Sequence, residues 1–219
     1  MIEWQNIDTV LLDMDGTLLD LHYDDFFWLS HLPQRYADFH NTDLNTAKAE
    51  ILSHIEHLRG TIEWYCLDYW SEFTRMDIPS LKREVKDKIQ IRPHAEDFLS
   101  FLRGMGKKLV LITNSHRKGL DLKLEVTEID KWLDIVISSH DYGSPKEEQE
   151  FWLQLQKNEP FDPERSLFID DNLGVLRSAC DYGVRHLVCV TSPNSQAGVK
   201  DPEEFMGIVH FDELMPRQE

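Results

Sequence analysis

The sequence predicts an α/β fold: a doubly wound parallel sheet with an inserted α-helical domain. Short unbroken apolar runs, Val10-Leu11-Leu12, Leu109-Val110-Leu111-Ile112 and Leu167-Phe168-Ile169, read as strands covered on both faces. Segments with apolar residues three and four apart separate the later runs, the alternation expected of parallel strands joined by helices. The interval from about Asp20 to Gln90 breaks that alternation, because it carries helical periodicity and few β-branched clusters.

Val10 to Leu12 forms the first strand and stops at Asp13-Met14-Asp15-Gly16-Thr17. In the interval that follows, Phe26, Phe27, Leu29 and Leu32, then Ile51, Ile55 and Leu58, then Tyr65, Leu67, Tyr69 and Trp70 are spaced as helix faces. Thr42 or Asp43 can cap one of these helices. Read as a single helix, Trp64 to Trp70 puts Trp64 and Asp68 on one face, Tyr65 and Tyr69 on the next, and Cys66 and Trp70 on a third. Arg92-Pro93-His94 opens another helix, with Pro93 in its first turn, an apolar stripe of Ala95, Phe98, Leu99 and Leu102, and an end at Gly104 and Gly106.

The second strand, Lys108 to Ile112, ends in Thr113-Asn114-Ser115. A helix over about Gly119 to Thr127 leads to a third strand, Ile135-Val136-Ile137, and a loop to Ser144-Pro145-Lys146. A helix over Glu147 to Lys157 precedes the fourth strand, Ser166 to Ile169, which ends in Asp170-Asp171-Asn172. A helix from Asn172 to Tyr182 stops at Gly183, and His186 to Val190 gives a fifth strand. The expected domains are therefore a core of residues 1–19 and 91–219 and a helical insert of residues 20–90.

Open parallel sheets place ligands beyond the carboxyl ends of their strands. Asp13 and Asp15 stand at such an end, as do Thr113 and the Asp170-Asp171 pair. Each has a plain alternative when taken alone. Asp-x-Asp-Gly also suits a simple turn or a calcium loop. A strand-end Thr is ordinary, a lysine beside Glu147 and Glu148 suits a solvated surface, and Asp170-Asp171 could cap a helix.

Taken in order, Asp13-Met14-Asp15-Gly16-Thr17, Thr113, Pro145-Lys146 and Asp170-Asp171 resemble the haloacid dehalogenase-like superfamily, most of whose members are phosphotransferases. The resemblance covers nearly the whole chain and implies a Rossmann-like core with the insert as a cap over the substrate. It implies Asp13 as nucleophile, Asp15 as general acid and base, and Thr113, Asn114 and Lys146 as catalytic or phosphate-binding groups. It also implies Mg2+, held by Asp13, Asp171 and the backbone carbonyl of Asp15, with Asp170 supplying further charge. Many members carry another acid four residues beyond the last metal-binding Asp, where this chain has Val175. Dehalogenases of the superfamily lack an acid at the position of Asp15, so this residue favours a phosphatase or a phosphomutase.

The segment Trp64-Tyr65-Cys66-Leu67-Asp68-Tyr69-Trp70, with Leu11 to Leu21 and Phe168 to Asp171, resembles the bacterial GMP/IMP 5′-nucleotidase branch. That resemblance implies hydrolysis of purine nucleoside monophosphates with a 6-oxo base. Trp64 would stack on the purine, Asp68 would accept the base N1 proton, and His116, just after the second motif, would touch the substrate. A phosphatase for sugar phosphates or other small metabolites, a phosphomutase, and a non-enzymatic binding module remain open on the same fold.

A phosphate monoester is a dianion, so a carboxylate approaches it only where positive charge offsets the repulsion. Magnesium takes hard oxygen ligands and substrate phosphate together, and a lysine adds a compact point charge with rotatable donors. The chain of 219 residues has a net charge of −17, which argues against polymeric nucleic acid and leaves a small phosphate monoester as the partner. No apolar run approaches membrane-span length, and the start Ile2-Glu3-Trp4 shows no basic flank before an apolar stretch. Cys66, Cys180 and Cys189 are odd in number and widely spaced, as in reduced cytoplasmic proteins. A cytoplasmic enzyme away from the membrane is expected, and residue spacing does not set its oligomeric state.

Overall fold

The computed structural model describes residues 2–216. Its centre is a six-stranded sheet in the order β3-β2-β1-β4-β5-β6, every neighbouring pair parallel. The strands are β1 (Thr9–Leu12), β2 (Lys108–Thr113), β3 (Ile135–Ser138), β4 (Ser166–Asp170), β5 (His186–Val190) and β6 (Met206–Ile208). Five follow the apolar runs. The sixth is three residues long and centred on Gly207, where a Cβ would meet Pro202 Cγ at 2.8 Å and Thr191 Cγ2 at 2.9 Å. A strand built around such a close approach carries no apolar run to announce it.

Alternate residues of the central strands feed two separate cores, as the two-residue period of a strand requires. Val10, Leu12, Leu109, Leu111, Leu167 and Ile169 pack on one side with Phe98 and Leu102 of α7 (Ala95–Gly104) and Leu120 of α8 (Arg117–Thr127). Leu11, Val110, Ile112 and Phe168 pack on the other with Trp152 of α9 (Gln149–Asn158) and Leu176 of α10 (Leu173–Tyr182). Asn172 caps α10 by accepting from the N–H groups of Gly174 and Val175, and Gly183 ends it at φ 107°. The expectation for α7 needs correction at its start. Pro93 lies before the helix, whose N-cap, His94, has φ 63°.

Between β1 and β2 the chain forms α1 (His22–Phe26), α2 (Leu32–His40), α3 (Leu44–Leu58), α4 (Ile62–Tyr65), α5 (Leu67–Thr74) and α6 (Ile78–Glu84). Asp43 caps α3 by accepting from the N–H groups of Asn45 and Thr46. A π-helical turn, Phe27–His31, joins α1 to α2. This wider turn shifts the helix face: Phe27 and Leu32 are buried as expected, but Leu29 is exposed. The two chain crossings into and out of these helices lie side by side. Leu19 and Ile91 form an antiparallel bridge, flanked by hydrogen bonds from Asp20 N to Gln90 O and from Arg92 N to Leu18 O, both 2.9 Å. Among the described residues no helix is long and apolar enough to cross a membrane.

Candidate active site

The strand register brings the carboxyl ends of β1, β2 and β4 together. Leu12 pairs with Leu111 on one side and Ile169 on the other, so Asp13 emerges between Ile112 and Asp170. Its N–H still donates to the Ile169 carbonyl at 3.0 Å, which ties it to β4 one residue past the end of β1. The chain then turns at Gly16, φ +86°, where a Cβ would lie 2.8 Å from the Asp171 carboxyl carbon. Only glycine tolerates both that backbone conformation and that approach.

Lys146 sits between two of the acids. Its Nζ donates to Asp13 Oδ1 at 2.6 Å, to Asp170 Oδ2 at 2.7 Å and to the Ile112 carbonyl at 3.2 Å, and all three side chains are buried. Its backbone is fixed as well: the N–H donates to Asn114 Oδ1 at 2.9 Å, and the carbonyl accepts from the Trp152 indole at 3.0 Å. Burial loosens the hold of Lys146 on its proton, but Asp13 and Asp170 outweigh it and hold the ammonium charged. One cation does not satisfy all the acids. Burial pushes Asp13 up to about 6 against the pull of Lys146, and Asp170 up to about 6 against the same pull, with Asp171 adding to the rise.

Asp171 accepts from Lys200 Nζ at 3.1 Å, and burial still pushes it up to about 6. Oxygens of Asp13, Asp170 and Asp171 lie within 4.8 Å of one another. Three hard oxygen donors, held in a buried place that is short of positive charge, are the donor set magnesium takes. The residues present therefore fit that ion.

Asp15 points away from this cluster. Its Oδ1 meets Lys123 Nζ at 2.7 Å, and the same ammonium meets Asp24 Oδ2 of α1 at 2.7 Å. Asp24 takes Lys82 as well, at 2.8 Å, so two buried lysines and two carboxylates alternate in a row. Burial pushes Asp15 up to about 6 despite Lys123, with Asp24 among the charges that raise it. Burial would raise Asp24 too, but Lys123 and Lys82 hold it down at about 2.

The Thr113 hydroxyl ends β2 and accepts from the Ser115 N–H at 3.0 Å. Asn114 donates to Glu147 Oε2 at 2.9 Å, and Glu147 Oε1 accepts from the Tyr65 hydroxyl at 2.8 Å, which hooks the helices to the Pro145-Lys146 loop. Above these groups lies a cavity of about 560 Å³, within the usual range for small-molecule sites. Asp13, Asp15, Thr113, Lys146 and Asp171 form its floor, with Asn114 and Asp170 beside them. Trp28, Trp64, Tyr65 and Leu67 line it from the helices.

Seven sequence-predicted site residues thus share one cleft with Trp64, whereas Asp68 and His116 do not line it. The single-helix reading of Trp64 to Trp70 is corrected: Cys66 is extended, at φ −81° and ψ 107°, and separates α4 from α5. Trp64 and Asp68 therefore do not share a helix face. Asp68 instead accepts from Lys118 Nζ at 2.5 Å, and His116 Nε2 stands 3.8 Å from Asp68.

Sequence reasoning missed Lys123, Lys82, Asp24 and Lys200. Lys123 did leave a signal, since it falls on the buried face of α8 with Leu120, and a lysine on an apolar stripe implies a buried partner. Lys200 comes from the loop before β6 and leaves none.

Comparison with known proteins places the chain in a family. The description of the haloacid dehalogenase-like hydrolases matches residues 7–179. The GMP/IMP nucleotidase YrfG of Escherichia coli strain K12 is 37% identical over 215 residues, 98% of this chain and 97% of that protein, and its Shigella flexneri counterpart matches equally. In fold, the chain is similar to a HAD phosphatase from Thermococcus onnurineus, with a TM-score of 0.79, 23% identity and coverage of 95% and 96% of the two chains. A dehalogenase structure gives a TM-score of 0.63 at 18% identity, covering 98% and 97%.

Proposed function

The chain belongs to the haloacid dehalogenase-like hydrolases, and from that premise we propose that it hydrolyses purine nucleoside 5′-monophosphates, GMP and IMP above all, to nucleoside and phosphate through an aspartyl phosphate on Asp13. The observation that carries this reading is the buried Asp13, Lys146 and Asp170 triad beneath a cavity walled by Trp28, Trp64 and Tyr65. Relatives 37% identical over 98% of the chain are named as GMP/IMP nucleotidases.

In this mechanism a phosphate oxygen displaces the contact between Lys146 and Asp13, freeing the carboxylate while the ammonium stays to offset phosphate charge. Asp13 forms a bond to phosphorus as the bond to the nucleoside 5′-oxygen breaks. Asp15 delivers its proton to that leaving oxygen and then takes one from the water that cleaves the aspartyl phosphate. A carboxyl pushed up to about 6 serves both directions near neutral pH. Thr113 and Asn114 donate to the remaining phosphoryl oxygens. Mg2+, held by Asp13, Asp171 and the Asp15 carbonyl with Asp170 beside them, would supply positive charge for the transferring group.

Residues 20–90 act as the cap that reads the base, with Trp64 and Trp28 lining the cavity as the aromatic groups for base contact. Asp68 and His116 are left out of base recognition, because neither lines the cavity. The free thiols of Cys66, Cys180 and Cys189 suit a reducing compartment, the cytoplasm. A panel of GMP, IMP, AMP and sugar phosphates, assayed with Mg2+ for released phosphate, tests the reading. GMP and IMP should be the preferred substrates, with phosphate stoichiometric with nucleoside. Preference for a sugar phosphate, or undiminished turnover in Asp13→Asn, would overturn it.

A further inference from the structure

Cys66, His116 and His140 converge outside the cleft, where the helices between β1 and β2 meet the sheet. The Cys66 thiol sulfur and one nitrogen from each imidazole lie within 4.8 Å of one another. Each comes from a different element: the extended break between α4 and α5, the N-cap of α8, and the short turn after β3. The two imidazoles stand edge to face, with centroids 4.8 Å apart. None of the three lines the cavity.

Two features mark this as more than packing. Nε2 of His140 is buried and has no hydrogen-bond partner, a costly arrangement that a coordinated cation would relieve. Each imidazole can present one unprotonated nitrogen to such an ion. Asp68, 3.8 Å from His116 Nε2, adds a negative charge at the rim.

One sulfur and two imidazole nitrogens select a borderline-soft ion over magnesium. Ligand atoms around tetrahedral zinc sit roughly 3.5 Å apart, so the widest pair, at most 4.8 Å, needs to close by little more than about 1 Å. We propose that Cys66, His116 and His140 form a second metal site, for a divalent transition-metal ion such as Zn2+, which when filled ties the helical insert to the core. The site is distinct from the Asp13, Asp170 and Asp171 cluster and does not rest on the nucleotidase reading.

The test is a Co2+ titration of the full chain, thiols reduced, in saturating Mg2+ to occupy the acidic cluster. One Co2+ per chain should bind with a near-ultraviolet thiolate-to-cobalt charge-transfer band, and Zn2+ should bleach it. The band should vanish in Cys66→Ser and in Cys66→Ala, the second variant guarding against misfolding of the first. His116→Ala and His140→Ala should each weaken binding at least tenfold, with circular dichroism matching the unaltered chain. Absence of the band from the unaltered protein, its survival without Cys66, or undiminished affinity in His140→Ala would overturn the proposal.

Discussion

Replacing Lys146 by methionine removes one ammonium from between two buried carboxylates while keeping most of the side-chain volume. The lost ion pairs are those to Asp13 at 2.6 Å and Asp170 at 2.7 Å, between side chains 3%, 8% and 2% exposed, and the bond to the Ile112 carbonyl goes with them. Breaking a buried ion pair from one side costs about 3–5 kcal/mol, because the remaining charge is stranded. That cost depends on pH. Burial already pushes Asp13 and Asp170 up to about 6 from 3.8, and removing the cation raises them further. The folded chain then holds protons that the unfolded chain releases, so stability is present below the unfolded value and is lost as pH rises through the folded one. Urea unfolding of metal-free protein at pH 8 should show Lys146→Met less stable by about 3–5 kcal/mol with an unchanged slope. At pH 5 the carboxyls carry protons, and the loss should fall to about 1–2 kcal/mol, the scale of the missing hydrogen bonds. An equal loss at both pH values would refute the reasoning.

Two further substitutions probe other parts of the site. Gly16→Ala imposes a Cβ on a φ of +86° and drives it within 2.8 Å of the Asp171 carboxyl; backbone strain of about 1–2 kcal/mol is expected. Displacement of that carboxyl should lower phosphate release about 100-fold, with retained secondary structure by circular dichroism. Asp24→Asn removes a negative charge that raises Asp15, so Asp15 should lose its proton at lower pH. Because the leaving-group step needs the protonated acid, the alkaline limb of the kcat/KM profile should move to lower pH. An unmoved limb would remove Asp24 from the control of Asp15.

The sheet was legible because burial on both faces leaves continuous apolar runs, as Leu109 to Ile112 and Leu167 to Ile169 show. β6 left no such run, since Gly207 is present for close approach rather than for burial. The acids and Lys146 were legible in their order along the chain, which follows the order of strand ends. What spacing did not convey is which charge meets which. Lys146 pairs with Asp170 as well as Asp13, and Asp15 takes its cation from Lys123, which α8 brings between Asp15 and Asp24 of α1. The Trp64 to Trp70 segment misled for a local reason: Cys66 alone leaves the helical region, and one extended residue is enough to turn Asp68 out of register with Trp64.

The bridge between Leu19 and Ile91 has a consequence for how such a chain changes over time. Departure and return are neighbours, bonded across their backbones, so the span of the excursion is fixed by that ladder and not by the helices beyond it. Loop closure grows only with the logarithm of length. Helices can therefore be lengthened, exchanged or recombined at that doorway while the parallel strands beneath keep their register, and change in the insert need not disturb the sheet.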